Sequence, residues 1–448
     1  MEEYLEKLIS QIRCKKARPY ILEEIKGHIE DQIQDNIAAG MTKEEAEEKA
    51  ILDMGDPVET GIELDKIHKP QIAWRLLAIV GVISVLGILL QYQILHHVGN
   101  ASIQPESMIY GTTTDYIYSI ILGIITMCVI YFVDYTFIAK YARVIGIAIL
   151  CFGIYTVRWG IMGYSLYIAG FRINGAVVMM FYVPIYGALL YKYRGGGLSS
   201  LLKSVLWLIV PVVIVFMFPN IVVASVIMFS MLIQLTVAVR KGWFKVSKKK
   251  SIICLWGTFT IIPVVGLLFM FSMHLLQSYQ AERIRSLFMV TEGAWYTLSN
   301  LRNASQNIPL IGQSGNNVIG NIPDLNRDYI FTYVLNTYGS IAGILIIAVM
   351  AALIACIMAS LLNQKNELGL TMGTGCVMLL ALNTIINILS SIGIIPPAAS
   401  FVPFLSAGGS NIILCYAMVG IILSIYRYKN VYPRHTQMVK NWNRAFFV

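Results

Sequence analysis

The chain has 448 residues, of which 57% are apolar and only 13% are charged, so most of it carries too little charge for an ordinary soluble domain. Its seven cysteines are scattered without metal-binding spacing, which excludes a zinc site or a disulfide framework. The net charge of +9 is unevenly distributed along the chain: residues 1–70 hold 17 acids and 10 bases, and the remainder holds 8 acids and 24 bases. No segment interleaves basic and aromatic residues on a polar face, so we expect no nucleic-acid partner.

Residues 1–70 are predicted to form a small, acidic, soluble helical domain. Apolar residues at helical spacing mark two amphipathic helices, one with Leu5, Leu8, Ile9 and Ile12 and one with Ile21, Ile25, Ile29, Ile33 and Ile37. Thr42 and Glu45 form a capping box for a third helix. That helix is expected to end at Gly55-Asp56-Pro57.

Ten apolar runs of membrane-spanning length follow, and they predict an all-α polytopic membrane protein. The runs lie near 71–95, 115–133, 141–157, 174–191, 203–218, 220–239, 251–273, 329–361, 370–393 and 408–427. The eighth run is the longest, and we expect it either to tilt or to begin outside the bilayer. The predicted domains are therefore the soluble prefix 1–70, the membrane domain 71–430 and a tail, 431–448.

The basic residues predict an orientation. With residue 1 in the cytosol, the cytosolic segments beyond position 70 hold 18 basic residues and the external loops hold six. Lysine and arginine favour the cytosolic side of membrane proteins, and losing or adding one helix would spoil this asymmetry. We therefore expect a multi-pass protein of the cytoplasmic membrane with both termini in the cytosol.

Carboxylates are scarce in the membrane part, and most of the external ones share one loop. Six of the eight acids beyond position 70 fall on the external face. Four of them, Glu282, Glu292, Asp324 and Asp328, lie in the loop 274–328. Long loops inside compact proteins usually carry function. The loop is therefore the predicted place for chemistry, although Glu282 and Glu292 also fit simple solvated charges.

Two stretches of the membrane part resemble a known family. The first is Ile322-Pro323-Asp324-Leu325-Asn326-Arg327-Asp328-Tyr329-Ile330-Phe331, followed by Gly339 and Gly343. The second is Pro396 and then Pro403-Phe404-Leu405-Ser406-Ala407-Gly408-Gly409-Ser410, with Asn387 upstream. Both are similar to signatures of the shape, elongation, division and sporulation (SEDS) family, which polymerises peptidoglycan from lipid II.

The resemblance implies a divergent peptidoglycan glycosyltransferase at the outer face of the bacterial cytoplasmic membrane, acting on lipid II or a related undecaprenyl-linked substrate. It implies Asp328 as the catalytic residue. The implied substrate-binding residues are Arg327, Asn387, Pro403, Ser406, Gly408, Gly409 and Ser410, with Arg283 among the nearby arginines. A divalent cation, Mg²⁺ or Mn²⁺, is a further candidate for the diphosphate. The implied partner is a class B penicillin-binding protein with a single span.

The chemistry of glycan polymerisation also suits Asp328. A base must take a proton from a sugar hydroxyl as it attacks an anomeric carbon, and a carboxylate beside apolar surface has raised basicity. Arg327 or a cation would neutralise the diphosphate leaving group. Asp328 equally fits a residue that only caps the eighth helix, and Gly408 and Gly409 equally fit close helix packing.

Several positions depart from the family pattern, and most departures remove a charge. Val177 and Met180 stand where the family has glutamate and lysine, and Asn220 replaces an aspartate. Further departures are Asn326 and Arg327 for histidine and threonine, Asn336-Thr337 for an acidic pair, and Ala399 for glycine. Charge inside a membrane is costly to keep without a function, so these changes leave two functions open.

The first function is a divergent polymerase that uses Asp328. The second is a non-catalytic scaffold or regulator of cell-wall synthesis acting through residues 1–70, which resemble the helical prefix domain of some Gram-positive membrane proteins. Lipid transport is the third and weakest class, because Asp134 and Glu367 are the remaining acids and both lie at the membrane edge.

Overall fold

The computed structural model describes residues 1–99, 111–160, 165–168, 171–218, 220–273, 295–315 and 322–433. Contacts divide these residues into two compact units. The first unit contains Met1–Ala73 with the segments Leu362–Leu370 and 425–433. The second contains Trp74–Leu361 and Thr371–Ser424.

The first unit holds four helices: α1 (Glu2–Ser10), α2 (Arg18–Ala38), α3 (Lys43–Asp53) and α4 (Pro57–His68). The predicted capping box is present, because the Thr42 hydroxyl accepts from the Glu45 amide and the Glu45 carboxylate accepts from the Thr42 amide. The predicted end of the third helix at residues 55–57 also starts a fourth. There the carboxylate of Asp56 accepts a hydrogen bond from the amide of Val58 at 2.9 Å and caps α4.

The core of this unit joins the prefix helices to the C-terminal segment. Apolar side chains of α1 and α2, including Leu8, Ile21 and Ile29, are fully buried. The Nζ atom of Lys16 lies 4.7 Å above the ring of Tyr428, which is a cation–π contact. Residues 1–73 are therefore packed together with the end of the last helix rather than held apart from it.

The second unit contains the remaining helices and one β-hairpin. Its elements are α5 (Trp74–Gly99), α6 (Thr113–Phe132), α7 (Tyr135–Lys140), α8 (Ala142–Trp159), β1 (Ser165–Ile168), β2 (Phe171–Asn174), α9 (Gly175–Met180), α10 (Tyr182–Lys192), α11 (Leu198–Met217), α12 (Ile221–Arg240), α13 (Lys248–Ser272), α14 (Trp295–Ala304), α15 (Ile330–Tyr338), α16 (Ser340–Leu362), α17 (Glu367–Ser391) and α18 (Gly409–Arg427). Strands β1 and β2 pair antiparallel, with Ser165 opposite Asn174.

Ten segments of the described chain are long and apolar enough to cross a membrane, with α9 and α10 together forming the fourth. The predicted all-α polytopic fold with about ten spans is thereby confirmed. The spans Gly175–Lys192, Ile221–Arg240, Glu367–Ser391 and Gly409–Arg427 are 61–83% buried, whereas the other six are 11–33% buried. These four spans are therefore largely covered by the rest of the described protein, whereas the other six leave most of their side chains exposed.

The predicted eighth span, 329–361, differs from the structure. It divides at Gly339 into the short helix α15 and the span α16. Gly339 has φ +91°, and a Cβ atom there would lie 2.7 Å from the carbonyl oxygen of Leu310. The segment that carries Leu310 approaches Gly339 closely, and the backbone at Gly339 is left-handed, which suits glycine. These two features explain why the helix is broken at Gly339. The candidate span covers Ser340–Leu362, so α15 lies before it.

A candidate active site at Asp328

A tight turn places Arg327 and Asp328 immediately before α15. The amides of both residues donate to the carbonyl oxygen of Asp324, at 3.0 Å and 2.9 Å. Asp324 has φ +53°, in the left-handed region that aspartate tolerates better than most residues. Asp328 consequently lies outside the ten candidate spans, between Lys248–Gly266 and Ser340–Leu362.

The structure separates the two interpretations of Asp328. Helix α15 begins at Ile330 with Tyr329 as its N-cap, and it has no side-chain cap hydrogen bond. The carboxylate oxygen Oδ1 of Asp328 instead lies 3.4 Å from Nε of Arg327. Asp328 does not cap the helix, so its carboxylate is available for another role.

The surroundings of Asp328 favour a base that titrates near neutrality. Its side chain is only 13% exposed. Burial raises its pKa to about 7; the nearby charge of Asp324 adds to the rise, and the Arg327 guanidinium opposes it. A pKa close to the working pH is what general-base catalysis requires.

Buried amides hold the backbone around Asp328. The side-chain amide of Asn387, which is fully buried, donates to the carbonyl oxygens of Asp328 at 2.7 Å and Ser400 at 3.0 Å. Gln91 of the first span donates to the carbonyl oxygens of Asn326 at 2.8 Å and Leu405 at 2.9 Å. The two motif-bearing loops are thus tied together.

Sequence reasoning missed Gln91. A signal existed, because a glutamine within an apolar span is costly unless it has buried partners. The family signature identified Asn387, but the sequence did not predict its contacts. In the structure its amide supports the backbone of Asp328, and its predicted contact with substrate stays a prediction.

Two adjoining cavities open around Arg327. One, of about 310 Å³, is lined by Asn174, Ala176, Val177, Met180, Asn220, Val223, Arg327, Asp328, Ala399, Ser400, Phe401 and Asn411. The other, of about 290 Å³, is lined by Asn174, Val177, Arg327, Gly408, Gly409, Ser410 and Asn411. Arg327 belongs to both, and Asp328 belongs to the first alone.

The structure brings together some of the predicted substrate-binding residues. Gly408, Gly409 and Ser410 line the second cavity with Arg327. Gly408 has φ +125°, and a Cβ atom there would lie 3.3 Å from Nδ2 of Asn411 and 3.9 Å from Nε of Arg327. A glycine therefore leaves room beside the guanidinium.

Other predicted residues lie elsewhere. Pro403 and Ser406 are buried, and neither is among the described residues that line the two cavities. The Ser406 hydroxyl accepts from the amide of Val402 at 2.9 Å, so it stabilises the loop. Arg283, like Glu282 and Glu292, lies outside the described residues. The substrate contacts predicted for Pro403, Ser406 and Arg283 stay predictions.

The departures from the family pattern converge on this site. Val177, Met180, Asn220 and Ala399 all line the cavity that contains Asp328. Among its described lining residues, the charged side chains are Arg327 and Asp328. Four positions from distant parts of the sequence, which depart from the family signature, thus line one cavity, which is largely uncharged.

The described residues around Asp328 offer few of the ligands that a divalent cation needs. Mg²⁺ and Mn²⁺ prefer several oxygen ligands. The described lining of the Asp328 cavity offers one carboxylate, and no cluster of three His, Cys, Asp or Glu side chains occurs within the described residues. These residues do not fit a cation held by protein ligands alone.

Comparison with known proteins identifies the family. A family model described as "Cell cycle protein", named for FtsW, RodA and SpoVE, matches residues 73–431. The chain belongs to the FtsW/RodA/SpoVE family. The match covers all ten spans and both loop motifs, and it confirms the resemblance to SEDS proteins.

Curated relatives match over shorter segments. A probable peptidoglycan glycosyltransferase FtsW of Enterococcus hirae is 28% identical over 188 residues, which cover 40% of this chain and 47% of that protein. Stage V sporulation protein E of Bacillus subtilis is 31% identical over 107 residues, or 24% of this chain and 29% of that protein. The matched segments span less than half the length of these relatives.

Solved structures extend the likeness to the whole membrane domain. A chain of a peptidoglycan synthase complex that coordinates polymerization and crosslinking aligns with a TM-score of 0.61 at 18% identity, covering 79% of this chain and 97% of that chain. Rod shape determining protein RodA of Thermus thermophilus aligns with a TM-score of 0.53 at 14% identity, covering 80% and 97%. At these identities the alignments establish the fold.

Proposed function

We propose that this FtsW/RodA/SpoVE member is a peptidoglycan glycosyltransferase that polymerises lipid II, with Asp328 as its general base. The observation that carries the proposal is the buried carboxylate of Asp328, whose pKa is about 7, in one cavity with Arg327. Membership of a family whose relatives include probable peptidoglycan glycosyltransferases gives the reaction class. A chain of a solved peptidoglycan synthase complex has the same fold.

The proposed step is a displacement at an anomeric carbon. The acceptor sugar hydroxyl loses its proton to the Asp328 carboxylate as its oxygen bonds to the anomeric carbon of the donor. The bond between that carbon and the diphosphate breaks, and the diphosphate leaves with the electron pair and its lipid. The Arg327 guanidinium stabilises the charge that develops on the leaving group.

We assign a different cavity to each partner in this step. The acceptor hydroxyl must lie near Asp328, so the acceptor belongs in the cavity of about 310 Å³. The diphosphate belongs near Arg327 on the side of Gly408 and Gly409, in the cavity of about 290 Å³. Arg327 lines both cavities and so stands between acceptor and leaving group.

The test is polymerisation by the purified protein in detergent, given lipid II with and without Mg²⁺ or Mn²⁺. Wild type should form glycan polymer, and Asp328→Asn should reduce the rate by about 10²- to 10⁴-fold, the usual contribution of a general base. Asp324→Asn is the matched control, because it neutralises a neighbouring carboxylate and asparagine tolerates the same left-handed backbone. Equal polymer from wild type and Asp328→Asn would disprove the catalytic role.

The neutral cavity lining favours a second candidate, a non-catalytic scaffold that acts through residues 1–70. In cells, that function predicts that deleting residues 1–70 abolishes the effect of the protein while Asp328→Asn preserves it. The polymerase predicts loss of the effect in Asp328→Asn. One complementation experiment with both variants therefore separates the two functions.

A class B penicillin-binding protein is the proposed partner, supported by the structural neighbour from a peptidoglycan synthase complex. Both termini are proposed to be cytosolic, because 18 basic residues beyond position 70 would then lie inside. Labelling of single cysteines introduced at residues 2 and 311, in a variant whose seven native cysteines are replaced by serine, with a membrane-impermeant reagent tests the orientation. Only the cysteine at 311 should react in intact cells, and reaction at residue 2 would reverse the topology.

A further inference from the structure

Two asparagines begin helices at the wall of the Asp328 cavity. Asn174 caps α9, and its side-chain oxygen accepts from the amide of Ala176 at 2.9 Å. Asn220 caps α12, and its side-chain oxygen accepts from the amide of Val223 at 3.2 Å. The cap requires an acceptor, so these bonds assign which amide atom is oxygen.

Each capping bond uses one acceptor site of the side-chain oxygen, whereas neither bond uses the Nδ2 group, which can therefore donate to a ligand. An amide nitrogen of this kind donates hydrogen bonds and does not accept them. Both asparagines are half-buried and line the cavity that contains Asp328. Their contribution to the cavity is therefore a pair of uncharged donors.

The rest of the cavity limits what these donors can bind. Much of the described lining is apolar, including Val177, Met180 and Val223, and its other polar members are Arg327, Asp328, Ser400 and Asn411. No carboxylate other than Asp328 is present among the described lining residues, so a cationic ligand group would find no further counter-charge. A neutral oxygen acceptor on the ligand fits both the donors and the apolar wall.

We propose that Asn174 and Asn220 bind the acetamido carbonyl of the acceptor sugar and so select an N-acetylated over a de-N-acetylated acceptor. This inference rests on the proposed function, which places the acceptor sugar in this cavity. Holding the acetamido group here would orient the sugar so that its hydroxyl faces Asp328. The asparagines are therefore specificity residues, and Asp328 remains the base.

The test uses substitutions that keep the helix caps. Serine and aspartate are both good N-cap residues, so Asn220→Ser and Asn220→Asp preserve the cap and remove the amide donor. Asn220→Asp also adds a carboxylate that can pair with an ammonium group. Each variant is assayed with two synthetic short-chain lipid-linked disaccharides, one with the acetamido group on the acceptor sugar and one with a free amine there.

Wild type should use the N-acetylated acceptor at least tenfold better in kcat/KM than the amine. Asn220→Ser should lose about tenfold on the N-acetylated acceptor, mainly through KM, because one uncharged hydrogen bond is lost. Asn220→Asp should lower the preference for the N-acetylated acceptor by at least tenfold, and Asn174→Asp should change it in the same direction. If Asn174 and Asn220 had only a structural role, replacing them would not change the preference between the N-acetylated acceptor and the amine.

The outcomes separate the two proposals. If polymerisation depends on Asp328 but the preference stays unchanged in both aspartate variants, the acetamido assignment is wrong and the proposed function stands. If wild type shows no Asp328-dependent polymerisation of either substrate, both proposals fail. A wild type that uses the amine as well as the acetamide would also overturn the inference.

Discussion

The side-chain amide of Asn387 donates a 2.7 Å hydrogen bond to the backbone carbonyl of Asp328, across 59 positions of the chain. The same amide group donates to Ser400. One buried side chain therefore fixes the loop that carries the proposed base against the loop that precedes the last helix. Positioning of this kind affects catalysis because small displacements of a reacting group are costly in rate.

Replacing Asn387 should impair turnover more than binding. Asn387→Leu leaves two buried carbonyls without this donor, and each such loss costs about 1–3 kcal/mol. We expect kcat to fall at least tenfold with little change in KM or in the pH midpoint. The matched control is Asn383→Leu, one turn earlier, where the side-chain amide of Asn383 donates to the carbonyl of Leu379 in its own helix. Equal loss of kcat in both variants would show that Asn387 has no special role.

Arg327 is predicted to influence both the leaving group and the base. Its charge lowers the pKa of Asp328, so Arg327→Gln should move the acidic limb of the rate profile to higher pH. Loss of the guanidinium from the diphosphate side should also reduce kcat/KM by about 10- to 100-fold. Arg327→Lys should retain the pH midpoint more closely than Arg327→Gln. An unchanged midpoint in Arg327→Gln would contradict the electrostatic link.

Gly408→Ala should weaken substrate binding. The added methyl group would project 3.9 Å from Nε of Arg327, on left-handed backbone. We expect about a tenfold loss in kcat/KM, measured with lipid II. Gly312→Ala is the control, because it has a similar φ of +98° but open space around the new methyl. If both variants lose the same activity, backbone strain rather than cavity filling is the cause.

The positions of the membrane helices were largely predictable. Apolar runs depend on local sequence, and they predicted nine of the ten spans within five residues of the observed helix bounds, whereas the predicted eighth span began eleven residues too early. The break at Gly339 was not predictable, because it depends on the carbonyl of Leu310, a residue in a different segment. The end of α3 before Gly55-Asp56-Pro57 was predicted, but the start of α4 at Pro57 was not, although Asp-Pro is also a common helix start.

The site was predictable only in part. Counting external carboxylates selected the loop of Asp328, and the motif selected Gly408 and Gly409. The supporting bonds from Gln91 and Asn387 join residues 235 and 59 positions apart, and hydropathy carries no information about such pairs. For the same reason, sequence alone did not show that Val177, Met180 and Asn220 share one cavity.

The raised pKa of Asp328 has a consequence for stability. A carboxyl group ionises near pH 3.9 in the unfolded chain and near 7 in the folded protein. Ionisation of Asp328 therefore lowers the free energy of unfolding as the pH rises through this window. Above pH 7 the loss is on the order of 4 kcal/mol. Asp328→Asn should raise Tm relative to wild type at pH 8 and not at pH 4. A lower Tm at pH 8 would contradict the burial of a charged group.

The pH dependence of kcat/KM for lipid II polymerisation is the most direct measurement of the role of Asp328. Because the ionised form is the base and burial raises its pKa to about 7, the rate should rise from pH 5.5 and level off above pH 8, with a midpoint near 7. In Asp324→Asn the midpoint should move to lower pH, since the Asp324 charge contributes to the raised pKa. A wild-type profile that is flat from pH 5.5 to 8.5, or an Asp328→Asn variant that polymerises at the wild-type rate, would contradict general-base catalysis by Asp328.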